Sequence, residues 1–196
     1  TAPFYEQWPP KTHTTIFFES KHRQNEAVYA REVLERFMER AWGRTVATQE
    51  VDRFVKLFSG YRPQFESLEE AMVEVLATVL AHPEFLYLAQ SEAVGPSSRI
   101  NDSELARRLA VFLWSSIPDD ELLEKAIHRQ LNDPEELEAQ VKRMLADDRA
   151  RALVNNFAAQ WLYLRDVASK EPDPGFFPSF DENLRQAFER ETELFV

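Results

Sequence analysis

The sequence lacks cysteine, has only four glycines and contains no long apolar run. Without cysteine there is no disulfide, no thiolate metal site and no covalent haem attachment within these 196 residues. A bilayer-spanning helix needs about 18 or more consecutive apolar residues, so the sequence predicts no membrane span. Scarce glycine, together with charge carried mostly by glutamate and arginine, favours helices over a turn-rich β fold.

Positive charge is also in short supply. The 23 lysines and arginines face 34 aspartates and glutamates, which gives a formal net charge of −11. This excess of negative charge disfavours nonspecific binding to nucleic acid or to anionic membrane surfaces, so we expect no nucleic-acid partner. An apolar content of 44% is typical of a globular protein rather than a disordered chain.

The spacing of apolar residues predicts an all-α fold, a multi-helix, bundle-like array around one central buried helix. Asn101 is the predicted N-cap of that helix, and Glu104 is placed to complete a capping box. Apolar residues then surround most of the helix, which is typical of a buried helix. Similar start signals predict further helices beginning near Asn25, Thr48, Ser67, Pro83, Asp133, residue 149 and Asp181.

Residues 1–20 differ from the rest, and we interpret them as a short extended N-terminal arm or the end of a preceding domain. Pro3, Pro9 and Pro10 favour extended backbone. Residues 14–18 are β-branched and aromatic and form the best strand candidate of the chain.

The remainder is predicted to form two helical units. The smaller unit comprises residues 21–92 and the larger one residues 99–196, with a linker at 91–99 rich in glycine, proline and serine. The last helix shows no stop signal before Val196, so we expect the larger unit to be truncated at its C-terminus.

Several motifs resemble two domains of unknown function found in large planctomycete and related bacterial proteins. Two segments resemble the first domain, family fifteen-ninety-five: AREVLERFMERAWGRTVATQEVDRFVKLF and LATVLAHPEFLYL. Two further segments resemble the second domain, family fifteen-ninety-two: FLWSSIPDDELL and DENLRQAFERETELF. The resemblance covers roughly residues 27–196.

The resemblance implies an extracytoplasmic, multi-domain parent protein that often carries a cytochrome-c-like domain and is sometimes linked with polysaccharide use or electron transfer. It implies no established activity and transfers no catalytic residue. Haem is expected only in other domains of the parent, and neither a cofactor nor a metal is expected in this part of the chain. The expected partners are those other domains, with a protein or a polysaccharide as further alternatives.

One residue breaks the pattern of the last helix. Glu191 falls at the centre of an apolar face that includes Leu184, Phe188 and Phe195. A carboxylate in such a position must be paired, protonated or directed into a cavity. Glu191 is therefore a catalytic candidate, as a general acid or base, or a metal ligand. The structural alternatives are a buried ion pair with an arginine, for which Arg108 is the candidate, and cover by a segment beyond Val196.

Other candidates have simpler explanations. No two histidines lie three or four residues apart, which excludes a helical metal pair. Asp119 and Asp120 are interpreted as helix-start residues rather than a catalytic pair. Trp114 and Trp161 are interpreted as core or interface residues rather than sugar platforms.

Two main functional hypotheses follow, and a third possibility is noncovalent binding of a cofactor between the helices. The first is a noncatalytic scaffold or interaction module of the extracytoplasmic parent protein. The alternative is a fragment of a hydrolytic or redox enzyme acting on an extracellular polysaccharide, supported by Glu191 and by the aromatic loop of Phe176, Phe177 and Phe180.

Overall fold

The computed structural model describes residues 9–88, 100–162 and 164–195. Its helices are α1 Lys11–Ile16, α2 Glu26–Trp42, α3 Thr48–Tyr61, α4 Leu68–Leu80, α5 Pro83–Leu86, α6 Asp102–Trp114, α7 Asp120–Ile127, α8 Pro134–Ala146, α9 Ala159–Trp161 and α10 Glu182–Phe195. Three 3-10 turns lie at Arg62–Gln64, Asp148–Ala150 and Leu164–Ser169, and a π-helical segment lies at Leu153–Ala158. Strands are absent from the described ranges, so the predicted all-α fold is confirmed.

A first hydrophobic core is formed where α2, α3 and α4 pack against one another. Its largest fully buried side chains are Trp42, Tyr29, Leu34, Met38 and Met72. The Trp42 indole Nε1 donates a hydrogen bond to the Val79 carbonyl at 3.4 Å, which satisfies its polar group inside the core. Helix α2 ends at Gly43 in the left-handed conformation, as its sequence predicts.

A second core surrounds α6, which packs against α7, α8 and the turn at 148–150. The buried side chains that α6 contributes to this second core are Ala106, Ala110, Leu113 and Trp114. The predicted central helix is thus present, but it is not buried on all sides. Phe112 and Val111 on α6 are 51% and 45% exposed.

Arg107 joins the two cores. From α6, its Nη2 donates to the carbonyl oxygens of Glu84 at 2.7 Å and Tyr87 at 2.9 Å. Its side chain passes directly over Gly43, where an added Cβ would lie 2.6 Å from Arg107 Cγ. A contact this close requires glycine at position 43, in addition to the positive φ of 63°.

The predicted strand at residues 14–18 is wrong, because α1 occupies most of it. The hydroxyls of Thr14 and Thr15 donate to the Lys11 carbonyl at 3.0 and 2.8 Å, so these β-branched residues are satisfied within a helical turn. The predicted extended arm is therefore helical at residues 11–16, and its residues 1–8 lie outside the described residues.

Two details of the structure between residues 149 and 180 also bear on the sequence-based prediction. The regular helix predicted from residue 149 is replaced by a 3-10 turn, the π-helical segment and α9. The loop at 171–180 is non-helical; Phe176 and Phe177 are exposed, whereas Phe180 is partly buried and its ring centroid lies 6.5 Å from that of Phe188. The Asp173 carboxylate also accepts from the Gly175 backbone N–H at 2.7 Å. The linker at 91–99 lies outside the described residues, so the division into two units stays a prediction.

Candidate functional site

The structure places Glu191 on an exposed position of α10. The apolar face of α10 is exposed as well, at Phe188, Leu194 and Phe195. Arg108 forms its ion pair with Glu104, with Nη2 to Oε1 at 2.5 Å. This contact lies within α6, and both the Glu191–Arg108 pair and a catalytic role for Glu191 stay predictions.

The FLWSSIPDDELL motif builds a structural cluster around Trp114. The ring is buried, and its Nε1 donates to the Met144 carbonyl at 2.9 Å. The Arg149 guanidinium carbon lies 3.5 Å from the ring centroid, and that of Arg143 lies 5.6 Å away. Cations in this position are attracted to the face of an indole. Trp114 is thus a core residue, as predicted.

Asp119 connects this cluster to α7. Its Oδ1 accepts from the Leu122 backbone N–H at 3.0 Å, and Arg143 donates to both of its carboxylate oxygens at 2.7 and 3.0 Å. Burial raises the pKa of the Asp119 carboxyl, but the Arg143 and Leu122 hydrogen bonds outweigh burial and hold the pKa below its ordinary value. The carboxylate therefore caps a helix and balances an arginine, which confirms the interpretation of Asp119 as a helix-start residue.

A buried carboxylate that the sequence did not single out lies at the start of α6. Asp102 is buried and accepts from the Leu131 backbone N–H at 2.7 Å. Its other oxygen accepts from the Asn132 side chain. These bonds tie α6 to the connection between α7 and α8, so Asp102 has a structural role.

No group of three or more histidine, cysteine, aspartate or glutamate side chains in the described ranges is arranged to hold a metal ion. Of the histidines, His82 accepts from the Glu84 backbone N–H at 3.2 Å and caps α5, as its position before Pro83 suggests. None of the described helices is long and apolar enough to cross a membrane. The expectation that this part of the chain binds no cofactor stays a prediction.

The most unusual surface is formed by Phe112, Phe157 and Trp161, which we call the aromatic face. These side chains are 51%, 51% and 70% exposed. The Phe112 and Phe157 ring centroids lie 5.4 Å apart with the planes at 66°, and the Phe157 and Trp161 centroids lie 6.2 Å apart at 22°. The three rings thus form one continuous apolar strip on the surface.

The π-helical segment explains why the sequence did not reveal this surface. In a regular helix, Leu153, Phe157 and Trp161 would share one buried face. In the structure Leu153 packs against the second core and Ala158 is buried, whereas Phe157 points into solvent. A π turn contains an extra residue and so shifts the register of the following side chains, and such turns are frequent at functional sites.

Two family models match the chain. Residues 29–90 match "PSD5: Protein of unknown function (DUF1595)", and residues 100–196 match "PSD4: Protein of unknown function (DUF1592)". These are the two families that the motifs resemble, so that prediction is confirmed. Neither curated proteins nor solved structures gave a match.

Proposed function

We propose that this chain, which belongs to the PSD5 and PSD4 families of unknown function, is a noncatalytic helical interaction module. It is part of a large extracytoplasmic multi-domain bacterial protein in which associated c-type cytochrome domains carry the redox chemistry. The chain contributes a rigid helical body that holds another domain of the same protein.

The observation that carries the proposal is the aromatic face. Three large aromatic side chains, each at least half exposed, lie side by side on α6, the π-helical segment and α9. Aromatic residues are enriched at the centres of protein interfaces, because burying them releases much apolar surface from water at a small cost in side-chain entropy. We therefore assign the aromatic face to contact with a neighbouring domain.

The specific motif of the chain supports a structural role. Trp114 and Asp119 of FLWSSIPDDELL are engaged with Arg143, Arg149 and the Met144 carbonyl. These contacts account for Trp114 and Asp119 by folding alone, whereas Phe112 of the same motif belongs to the aromatic face. The enzyme hypothesis stays the alternative; its candidate residues Glu191, Phe176 and Phe177 are exposed in the described residues.

A polysaccharide is the second candidate for the same surface. The rings of Phe157 and Trp161 lie within 22° of parallel, an arrangement on which successive sugar rings can stack. A polysaccharide would make the chain a carbohydrate-binding module rather than a holder of another domain.

Hydroxyl-radical labelling, detected by mass spectrometry, distinguishes contact with another domain from polysaccharide binding at the aromatic face. Labelling of Phe157 and Trp161 is measured in this chain alone and in the parent protein. We expect several-fold lower labelling in the parent, with labelling of the equally exposed control Tyr87 unchanged (67% exposed, outside the aromatic face). Equal labelling in both proteins would contradict the proposal, and protection only after addition of a soluble glucan would assign the face to polysaccharide.

A further inference from the structure

An apolar cleft of about 770 Å³ lies between the two cores. One wall is formed by α1 and α2, and the other by the end of α6 and the connection to α7. Its apolar lining includes Phe37, Phe85, Val111 and Ile117. An adjoining cavity of about 330 Å³ shares Phe85, Val111 and Ile117 with it, so the cleft continues along α6. Sites for small organic molecules have volumes of about 300–1,000 Å³ and are mostly apolar, as this cleft is.

The charge of the cleft is opposite to that of the chain. Its described lining contains two arginines, Arg36 and Arg40, and no carboxylate, although the chain carries a net charge of −11. Arg40 Nη1 pairs with Asp120 Oδ1 at 2.7 Å. Arg36 forms no ion pair in the described part of the chain, and its guanidinium carbon lies 4.9 Å from the centroid of the neutral Phe18 ring. The described lining of the 770 Å³ cleft therefore offers one cation, Arg36, that lacks a carboxylate partner. Arg107 in the adjoining cavity already donates to the Glu84 and Tyr87 carbonyls.

We propose that the cleft binds a single-chain amphiphile with one carboxylate, of the long-chain fatty-acid class. The alkyl chain lies along Phe37, Phe85 and Ile117, and the carboxylate accepts hydrogen bonds from Arg36 at the rim. A guanidinium is suited to a carboxylate because its N–H groups match the two oxygens. A single negative charge fits because Arg40 is already paired. This site is separate from the aromatic face and does not depend on the proposed domain contact.

The first test is titration of the purified chain by isothermal calorimetry with dodecanoate and decanoate, each below its micelle concentration, and with the uncharged dodecanol below its solubility limit. Each buried methylene strengthens binding by about fourfold, so we expect dodecanoate to bind about 16-fold more tightly than decanoate. Dodecanoate is expected to bind at least about 10-fold more tightly than dodecanol. Arg36→Gln is expected to remove that preference while leaving dodecanol binding unchanged. Equal affinities for acid and alcohol in the wild-type chain would overturn the assigned head group.

A matched pair of variants tests the location. Val111 and Val73 are exposed helical valines, 45% and 54% exposed, and only Val111 lines the cleft. Val111→Asp places a carboxylate beside the alkyl chain and is expected to weaken dodecanoate binding by more than 10-fold, whereas Val73→Asp is expected to leave it unchanged. Circular dichroism checks that both variants fold. Equal effects of the two substitutions, loss of binding in Trp161→Ala, or no saturable binding of dodecanoate would overturn the proposal.

Discussion

Substitution of Gly43 by alanine is expected to weaken the joint between the two cores. Gly43 ends α2 with a φ of 63°, a conformation that costs a non-glycine residue about 1–2 kcal/mol. The new Cβ would also lie 2.6 Å from Cγ and 2.9 Å from Cδ of Arg107, so the arginine side chain must move. Its hydrogen bonds to the Glu84 and Tyr87 carbonyls are then lost or weakened.

The size of the effect follows from these two contributions. A hydrogen bond made by a charged donor contributes about 1.5–3 kcal/mol, so loss of the Arg107 contacts adds about 2–3 kcal/mol to the backbone strain. We expect Gly43→Ala to lower the free energy of unfolding by about 3–5 kcal/mol. The assay is urea unfolding followed by circular dichroism.

A double-mutant cycle separates the backbone strain at position 43 from the steric clash of the added Cβ with the Arg107 side chain. In an Arg107→Ala background the colliding atoms are gone, and Gly43→Ala is expected to cost only the strain of about 1–2 kcal/mol. The control is Gly60→Ala, because an added Cβ at Gly60 meets no atom within 4 Å and lies in α3. That variant is expected to be more stable than wild type by about 0.5–1 kcal/mol. The same cost of Gly43→Ala in both backgrounds would refute the Gly43–Arg107 contact.

Three further predictions concern folding. Trp114→Phe removes the donor to the Met144 carbonyl and is expected to cost about 1–3 kcal/mol in urea unfolding; no loss would show that this bond is unimportant. Arg129 follows α7 with a φ of 56°, so Arg129→Gly is expected to raise the thermal midpoint, and a fall would contradict the assigned strain. The Arg44 hydrogen bond lowers the pKa of Glu50 from 4.5 to about 2. Its stabilisation is therefore present above about pH 4.5 and is lost as pH falls towards 2, so the difference in unfolding free energy between wild type and Glu50→Gln is expected to shrink over that range; a constant difference would refute it.

Local signals in the sequence predicted the helix boundaries well. Ser67 and Glu70 form the expected capping box at the start of α4, and Asn101 and Asp133 cap α6 and α8. These signals work because cap and capped N–H are only two or three residues apart, so no distant part of the chain is needed to satisfy them. The strand predicted at 14–18 failed because threonine hydroxyls can also bond within a helical turn.

The candidate surfaces depend on contacts that no local pattern reports. Periodicity placed Glu191 on an apolar face, but the described residues do not cover that face. The aromatic face arises from a π turn that changes the register of Phe157, and the cleft arises from the packing of one core against the other. Arg107 reaches Gly43 across 64 positions of sequence (107 − 43), which is beyond the range of any capping or periodicity signal.

The central claim is that the aromatic face holds another domain of the parent protein. The most direct measurement places a photo-reactive phenylalanine analogue at Trp161, and in a matched variant at Tyr87, in the parent protein. Cross-linked peptides are then identified by mass spectrometry. The account predicts cross-links from position 161 to a segment outside this chain and none from position 87. Absence of cross-links from position 161, or the same cross-links from both positions, would contradict it.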